Sequence, residues 1–414
     1  MGKKHRTQPA PDPEELEEIK EEGKKRPRSI PDVSDLYWNN LQKFRRKHNL
    51  TWDEACKQLY IYQNGLDYIF SAPRNLTKAM RLDLNTVMAL ATEWIDAARA
   101  NWTVIHSHGS IRQLLDTDIK DSPCIAIGAG PSLQLRNSLA QIKQSKFQEE
   151  GYVIATLHAL KWCLEAGVVP DFTMCMDSND KMLPFIDHDI VRQHVKDITL
   201  LGSCSMNPAM LRSWVEWGGG KMYFCQTQAN QILIPNFDTF MSVLLPDFPV
   251  VDSGGNAGTS CMTVMAGLDA NPVALVGIDF GYPKGHPYDQ SMYYGAYIRS
   301  VGKEYKDVQD MIEKVYKDFH HPVFGTDYYY DFVYGVFRRS LHEIAKEYKM
   351  KFGHKLFNCT EGGTVYSPEA IECVPLSEFL TLVESGKYKE IQHRNPEYGK
   401  VVQETPTEVE IQEV

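Results

Sequence analysis

Residues 123–135 read PCIAIGAGPSLQL. Cys124–Ile127 carry no polar alternation, as expected of a strand buried on both faces. Gly128 and Gly130 free the backbone for a tight turn, Pro131 suits a first helical turn, and Ser132 sets a hydroxyl beside that helix's unpaired amides. Strand, glycine turn and helix start in that order open a parallel α/β unit. Such a turn at a strand's carboxyl end admits a phosphate or sugar to the backbone; a turn that uses its glycines for packing alone needs the same residues. Leu133 stands where GxGxxG has its third glycine, which argues against a Rossmann dehydrogenase.

The same pattern repeats downstream. YVIATL (152–157), DFTMCMD (171–177), DITLLGS (197–203), KMYFC (221–225) and PVALVGID (272–279) are short apolar runs bounded by Gly, Pro or Asp. Segments of helical length lie between several of them, as in HALKWCLEAGV and AGTSCMTVMAGLD. Buried strands alternating with helices predict an α/β fold: a Rossmann-like, doubly wound, mostly parallel sheet that binds ligands beyond the carboxyl ends of its strands.

Around this core the composition predicts five parts. Residues 1–33 form a disordered charged arm, 34–110 a helical N-terminal module with Thr51 and Asn85 as caps, and 111–280 the Rossmann-like nucleotide-binding core. Residues 281–390 form a lid and the C-terminal helical part, with a helix over 332–350, and 391–414 an acidic flexible tail.

The 414 residues carry 54 acidic against 44 basic side chains, a net charge of −10 that argues against nucleic acid as a partner. Nine cysteines without a CxxC pair suggest neither a zinc ribbon nor a disulfide framework, and fit reduced thiols in a cytoplasm. No apolar h-region opens the chain and no run approaches ~18 apolar residues, so neither secretion nor membrane insertion is expected.

Four blocks in order, GAGPSL, HALKWCLEAGVVPDFTMCMDSND, GGNAGTSCMTVMAGLDANPVALVGIDFGYPKGHPYD and NCTEGGTVY, resemble the DUF115 / MptE-like family over about residues 110–380. That family includes the flagellin-glycosylating motility accessory factors and the archaeal 6-hydroxymethylpterin diphosphokinases, and is similar at a distance to bacterial CMP-sialic acid transferases. TEGG and the chain length favour the glycosyltransferase branch. The resemblance implies transfer of a CMP-activated nonulosonic acid to a protein hydroxyl, on flagellin or a surface protein. It also implies that the glycine turn (Gly128, Gly130, Pro131, Ser132) contacts the nucleotide and that a histidine after the GIDF strand is the general base.

The residues themselves offer several candidates. Asp177 and Asp180 close a strand at a spacing that suits a magnesium or manganese ion bridging diphosphate oxygens, or a turn in which such residues bond nearby amides. Gly255 and Asn256 precede a helix whose amides a ligand can approach, and close helix packing would demand the same small residues. Asp279 ends a strand and needs a partner if buried, whether ribose, metal or a neighbouring loop. Tyr282, Lys284 and His286 lie on a loop suited to neutralising phosphate.

The base is sought among His286, His320 and His321, since histidine titrates near neutral pH; His321 matches the sialyltransferase base best by position. His158 starts the helix after YVIATL, where substrate contact and helix capping are both open. Thr360 and Glu361 form a turn that either lines the site or closes the domain. The run FGTDYYYDFVYGVF suits core packing more than ring stacking. A diphosphokinase using ATP and magnesium, and a non-catalytic binding protein on the same fold, are the alternatives.

Overall fold

The computed structural model describes residues 78–227 and 245–391 together with Arg46 and Met241, and the backbone alone at 78–89, 91 and 92. The arm over 1–33, the cap at Thr51 and the tail after Ile391 lie outside the described residues. Leu90–Gln228 and Asp247–Val414 make one compact unit, and Met1–Ala89 with Ala229–Pro246 another. The sheet and every residue of the candidate site belong to the former.

Nine strands form one sheet in the order β12-β11-β7-β1-β2-β3-β4-β5-β6. They are β1 (Cys124–Ile127), β2 (Tyr152–Thr156), β3 (Phe172–Cys175), β4 (Thr199–Ser203), β5 (Met222–Thr227), β6 (Val250–Val251), β7 (Val273–Val276), β11 (Leu356–Asn358) and β12 (Ile371–Cys373). All their pairings are parallel. A second sheet, antiparallel, has the order β8-β10-β9, from β8 (Tyr282–Pro283), β9 (Lys317–His320) and β10 (Asp327–Tyr330). The α/β, Rossmann-like architecture is as the apolar runs require. The lid over 281–331 contains a small sheet that the sequence did not announce.

The absence of alternation in β1 has its physical reason in two cores. Cys124 and Ala126 face one apolar cluster with Ile154, Val273 and Leu275, while Ile125 and Ile127 face another with Val153, Ala155, Ala274 and Val276. Helices cover both sides. On the first face lie α5 (Ala257–Gly267), through Cys261, Met262 and Met265, and α6 (Phe332–Phe352), through Leu341, Ile344 and Ala345. On the second lie α3 (Leu157–Glu165), through Ala159 and Cys163, and α7 (Leu376–Glu384), through Leu376, Phe379 and Val383.

Helix α1 (Lys78–His108) is anchored to the sheet by Asn101, whose Nδ2 donates to the carbonyls of Cys204 at 3.2 Å and Met206 at 2.8 Å. Asn85, expected to cap a helix, falls inside α1, because the upstream KAMRLDL consists largely of good helix formers that carry the helix past it. Among the described residues seven cysteines are buried as free thiols and Cys373 is half-buried; burial pushes the thiols of Cys163 and Cys225 up to about 12, which leaves them inert.

Candidate functional site

The chain runs outward from β1 through β2 to β6 and then returns to place β7 on the other side of β1. The crevice above β1 and β7 is therefore a topological switch point, where open α/β sheets bind ligands. Three expected groups gather at this carboxyl edge: the glycine turn with Asp279, the loop before α5, and His158 with Asp177.

The glycine turn is clamped by protein. Gly128 N–H donates to Val276 O and Gly130 N–H to Gly277 O, both at 2.8 Å. Asp279 is 2% exposed and receives the Ser132 amide at 2.8 Å and the Ser132 hydroxyl at 2.5 Å. The amino end of the short helix α2 (Ser132–Leu135) thus already holds an anion, this carboxylate. Burial pushes Asp279 up to about 6, against the Ser132 bonds and the Arg136 charge. The turns over 128–130 and 277–279 interlock so closely that a Cβ on Gly128 would stand 2.5 Å from Gly277 O. One on Gly277, at φ +66, would stand 2.6 Å from Gly128 O. These glycines serve close packing, and the amides of Gly128, Gly130 and Ser132 are committed within the protein.

His158 and Asp177 lie within electrostatic reach of each other one strand further along. The register pairs Thr156 of β2 with Met174 of β3, so the residues just past each strand end are neighbours. His158 stands in the first turn of α3, with its ring 3.9 Å from that of Phe185. Burial lowers its pKa and the Asp177 charge works against that. Asp177 keeps exposed surface although protein crowds it; desolvation raises its pKa, with His158 opposing and Glu93 adding. Glu93, from α1, accepts the Ser178 hydroxyl at 2.5 Å. Asp180 is exposed and receives Asn207 Nδ2 at 2.9 Å. Among the described residues no three acidic, histidine or cysteine side chains converge as metal ligands.

The loop before α5 reaches the same edge. Asn256 caps the helix, its Oδ1 accepting from the Thr259 amide at 2.8 Å and its Nδ2 donating to Thr259 Oγ1 at 2.9 Å. Gly255, at φ +80, lies against Phe337 of α6, and Gly258 against Ile278. Asn256 therefore orders the helix end, and the first-turn backbone beside it borders the crevice.

The lid residues separate from this cluster. His321 is fully buried: its Nδ1 accepts the amides of Val323 at 3.3 Å and Phe324 at 3.2 Å, so its Nε2–H donates to Val365 O at 3.0 Å. With both nitrogens engaged, it ties the lid to the loop at Val365 and is not available to take an acceptor proton in this geometry. His320 is exposed on the outer face of the small sheet, paired with Asp327 at 2.9 Å, near the exposed Lys284–Asp318 pair at 3.0 Å. His286 stacks on Tyr282 at 4.9 Å, and its Nε2 is closed from solvent without a partner. The Tyr282 hydroxyl accepts the Met292 amide at 2.7 Å.

TEGG closes the domain. Thr360 is buried, its amide donating to Asn358 Oδ1 at 3.0 Å, and Glu361 accepts the Leu376 amide at 3.0 Å at the start of α7. In the aromatic run Tyr328 and Tyr329 are both 2% exposed, in line with core packing.

Sequence reasoning missed Glu93 and Tyr293, while Phe337 closes the aromatic run expected to pack in the core. Glu93 sits on an ordinary amphipathic helix, and no local signal ties it to a strand end 84 residues away (177 − 93).

Residues 96–285, just under half of the chain, match the family model described as 6-hydroxymethylpterin diphosphokinase MptE-like. The central segment is thus similar to the MptE-like family. No curated protein matches the chain. Among solved structures, a MAf glycosyltransferase from Magnetospirillum magneticum AMB-1 is similar at 17% identity over 66% of this chain, with a TM-score of 0.43. The match spans 37% of that structure's length, and likeness of this degree carries no argument about substrate. The MptE-like segment contains the glycine turn, His158, Asp177, the loop before α5 and Asp279, and ends before His320 and His321. Among the described residues no helix is long and apolar enough to cross a membrane.

Proposed function

We propose that the protein is a transferase that uses a nucleotide-activated donor, with His158 as the proton acceptor at the carboxyl ends of β2 and β3. The observation that carries this reading is the His158–Asp177 pair beside the switch point. Burial keeps the imidazole neutral, so it accepts the proton of an acceptor hydroxyl, and the Asp177 charge stabilises the imidazolium that forms. The first-turn amides of Ala257 and Gly258, at the amino end of α5, hold the donor phosphate in place of the committed glycine turn.

A magnesium or manganese ion would be held here by Asp177 alone, because Asp180 is bonded to Asn207, and would supply positive charge to offset the phosphate. In the form we favour, the acceptor oxygen of a protein such as flagellin attacks the anomeric carbon of a CMP-activated nonulosonic acid, CMP leaves, and His158 takes the proton. The family model favours a second form, in which the hydroxymethyl oxygen of a reduced pterin attacks the β-phosphorus of ATP and AMP leaves.

Product analysis separates the forms: CMP released in the presence of a protein acceptor supports the first, and AMP released with 6-hydroxymethyl-7,8-dihydropterin the second. If neither product forms, and calorimetry finds no binding of CMP, UDP, GDP or ATP, the transferase reading is overturned.

A further inference from the structure

The lid presents a group of aromatic rings that the packing of its own core does not use up. Phe280 lies 6.3 Å from Tyr334 and 6.2 Å from Phe337, and the Tyr334 hydroxyl meets that of Tyr282 at 3.2 Å, so Tyr334 and Phe337 are held from behind. Tyr293 stands against both, edge-on to Tyr334 at 5.7 Å and 84° and to Phe337 at 6.5 Å and 68°. Unlike Tyr328 and Tyr329, Tyr293 is only half-buried, and its neighbour Met292 is 65% exposed. Phe337 in turn touches the loop before α5, since a Cβ on Gly255 would stand 2.9 Å from its ring. Met176, next to Asp177, packs on the same apolar cluster as Phe337 and Tyr334.

Tyr293 is thus joined through Phe337 to the loop at Gly255, and its hydroxyl is within electrostatic reach of Asp177. Its hydroxyl is held well above the usual tyrosine range, first by burial and then by Asp331, Tyr282 and Asp177, so the ring stays neutral and apolar up to high pH. An aromatic face braced by two further rings, beside a helix end suited to phosphate, matches a ligand with a flat ring at one end and anionic oxygens at the other.

We infer that Tyr293, braced by Tyr334 and Phe337, is the platform on which the heteroaromatic ring of the ligand stacks. This rests on the transferase reading for the location of the site and adds to it the class of group bound there. A nucleobase and a pterin share the required chemistry, and Tyr293 acts as a specificity residue for either.

The test is calorimetric titration of the full chain with CMP, ATP, 6-hydroxymethyl-7,8-dihydropterin and the ring-free ribose 5-phosphate, on the wild type, Tyr293→Phe and Tyr293→Leu, with circular dichroism to verify folding. The expected result is that at least one ring compound binds, and that ribose 5-phosphate binds roughly tenfold or more weakly. Tyr293→Leu weakens the ring compound roughly tenfold, while Tyr293→Phe keeps affinity within about twofold. Which compound responds identifies the ring. If Tyr293→Leu folds and binds as the wild type does, the platform is overturned and the transferase reading stands. Equal wild-type affinity for ribose 5-phosphate has the same meaning and needs no variant. If the wild type binds none of the four, the platform is overturned; the transferase reading falls with it when UDP and GDP also fail to bind and neither CMP nor AMP is released.

Discussion

His158 shows how much one residue's surroundings decide. A histidine in solution is split between forms near neutrality; here burial outweighs the Asp177 charge and keeps it neutral. Because the neutral form is the active base, activity should rise with pH through an inflection below the ordinary value of 6.5 and then level off. Asp177→Asn removes the stabilising charge and should shift that inflection further down; His158→Gln should cut turnover by roughly 10²–10³ with little change in donor affinity, as read from a pH–rate profile and calorimetry.

Asp279 gives a stability prediction of its own. Its folded pKa of about 6 lies above the ordinary carboxyl value of 3.8, so the folded state holds the proton more tightly. The stabilisation is fully present below pH 3.8 and is lost as pH rises through about 6, a change on the order of 3 kcal/mol. Asp279→Asn still accepts the Ser132 amide and can donate to the Ser132 hydroxyl. Its urea-unfolding free energy should lack this decline between pH 4 and 6.5, and a parallel decline would refute the assignment.

At the scale of elements, the interlocked turns after β1 and β7 leave no room for a side chain. Gly277→Ala combines a positive φ with a 2.6 Å approach to backbone, so it should cost about 2 kcal/mol or more and lower the melting temperature by several degrees. Gly285→Ala, also at positive φ but with nothing within 4 Å, carries only the backbone strain and should cost less. The lid makes the corresponding case for His321. His321→Ala leaves the amides of Val323 and Phe324 without their partner, while the Val365 carbonyl keeps the Asn358 side chain at 2.8 Å, so it should lower stability by about 2 kcal/mol while nucleotide affinity is kept. A proton acceptor would show the reverse, normal melting and lost turnover.

Across the whole molecule, what could be read from the sequence follows from where local signals are strong. The strands β1 to β5 and β7 are largely apolar runs with turn residues at their ends, since a sheet covered on both faces admits few polar positions, such as the buried Thr173 and Gln226. The strands β6, β11 and β12 have two or three residues each, too few for any pattern, and β8 to β10 mix tyrosines with charges in a lid where one face is open. The glycine turn was recognisable as a strand end, but its use depended on Asp279, 147 residues after Ser132, filling the helix end a phosphate would take. For His158 and Asp177, the residue types and strand ends were legible; their pairing came from the sheet order. Glu93 and Tyr293 gave no local sign, because each reaches the site from a distant element.

The most direct test is hydrogen–deuterium exchange of the full chain with and without the nucleotide that binds. Slower exchange in peptides spanning residues 156–159, 176–180 and 254–259 is the expected result. Protection confined to other peptides, such as those of the outer face around His320, would contradict a site at the carboxyl ends of β1 to β3.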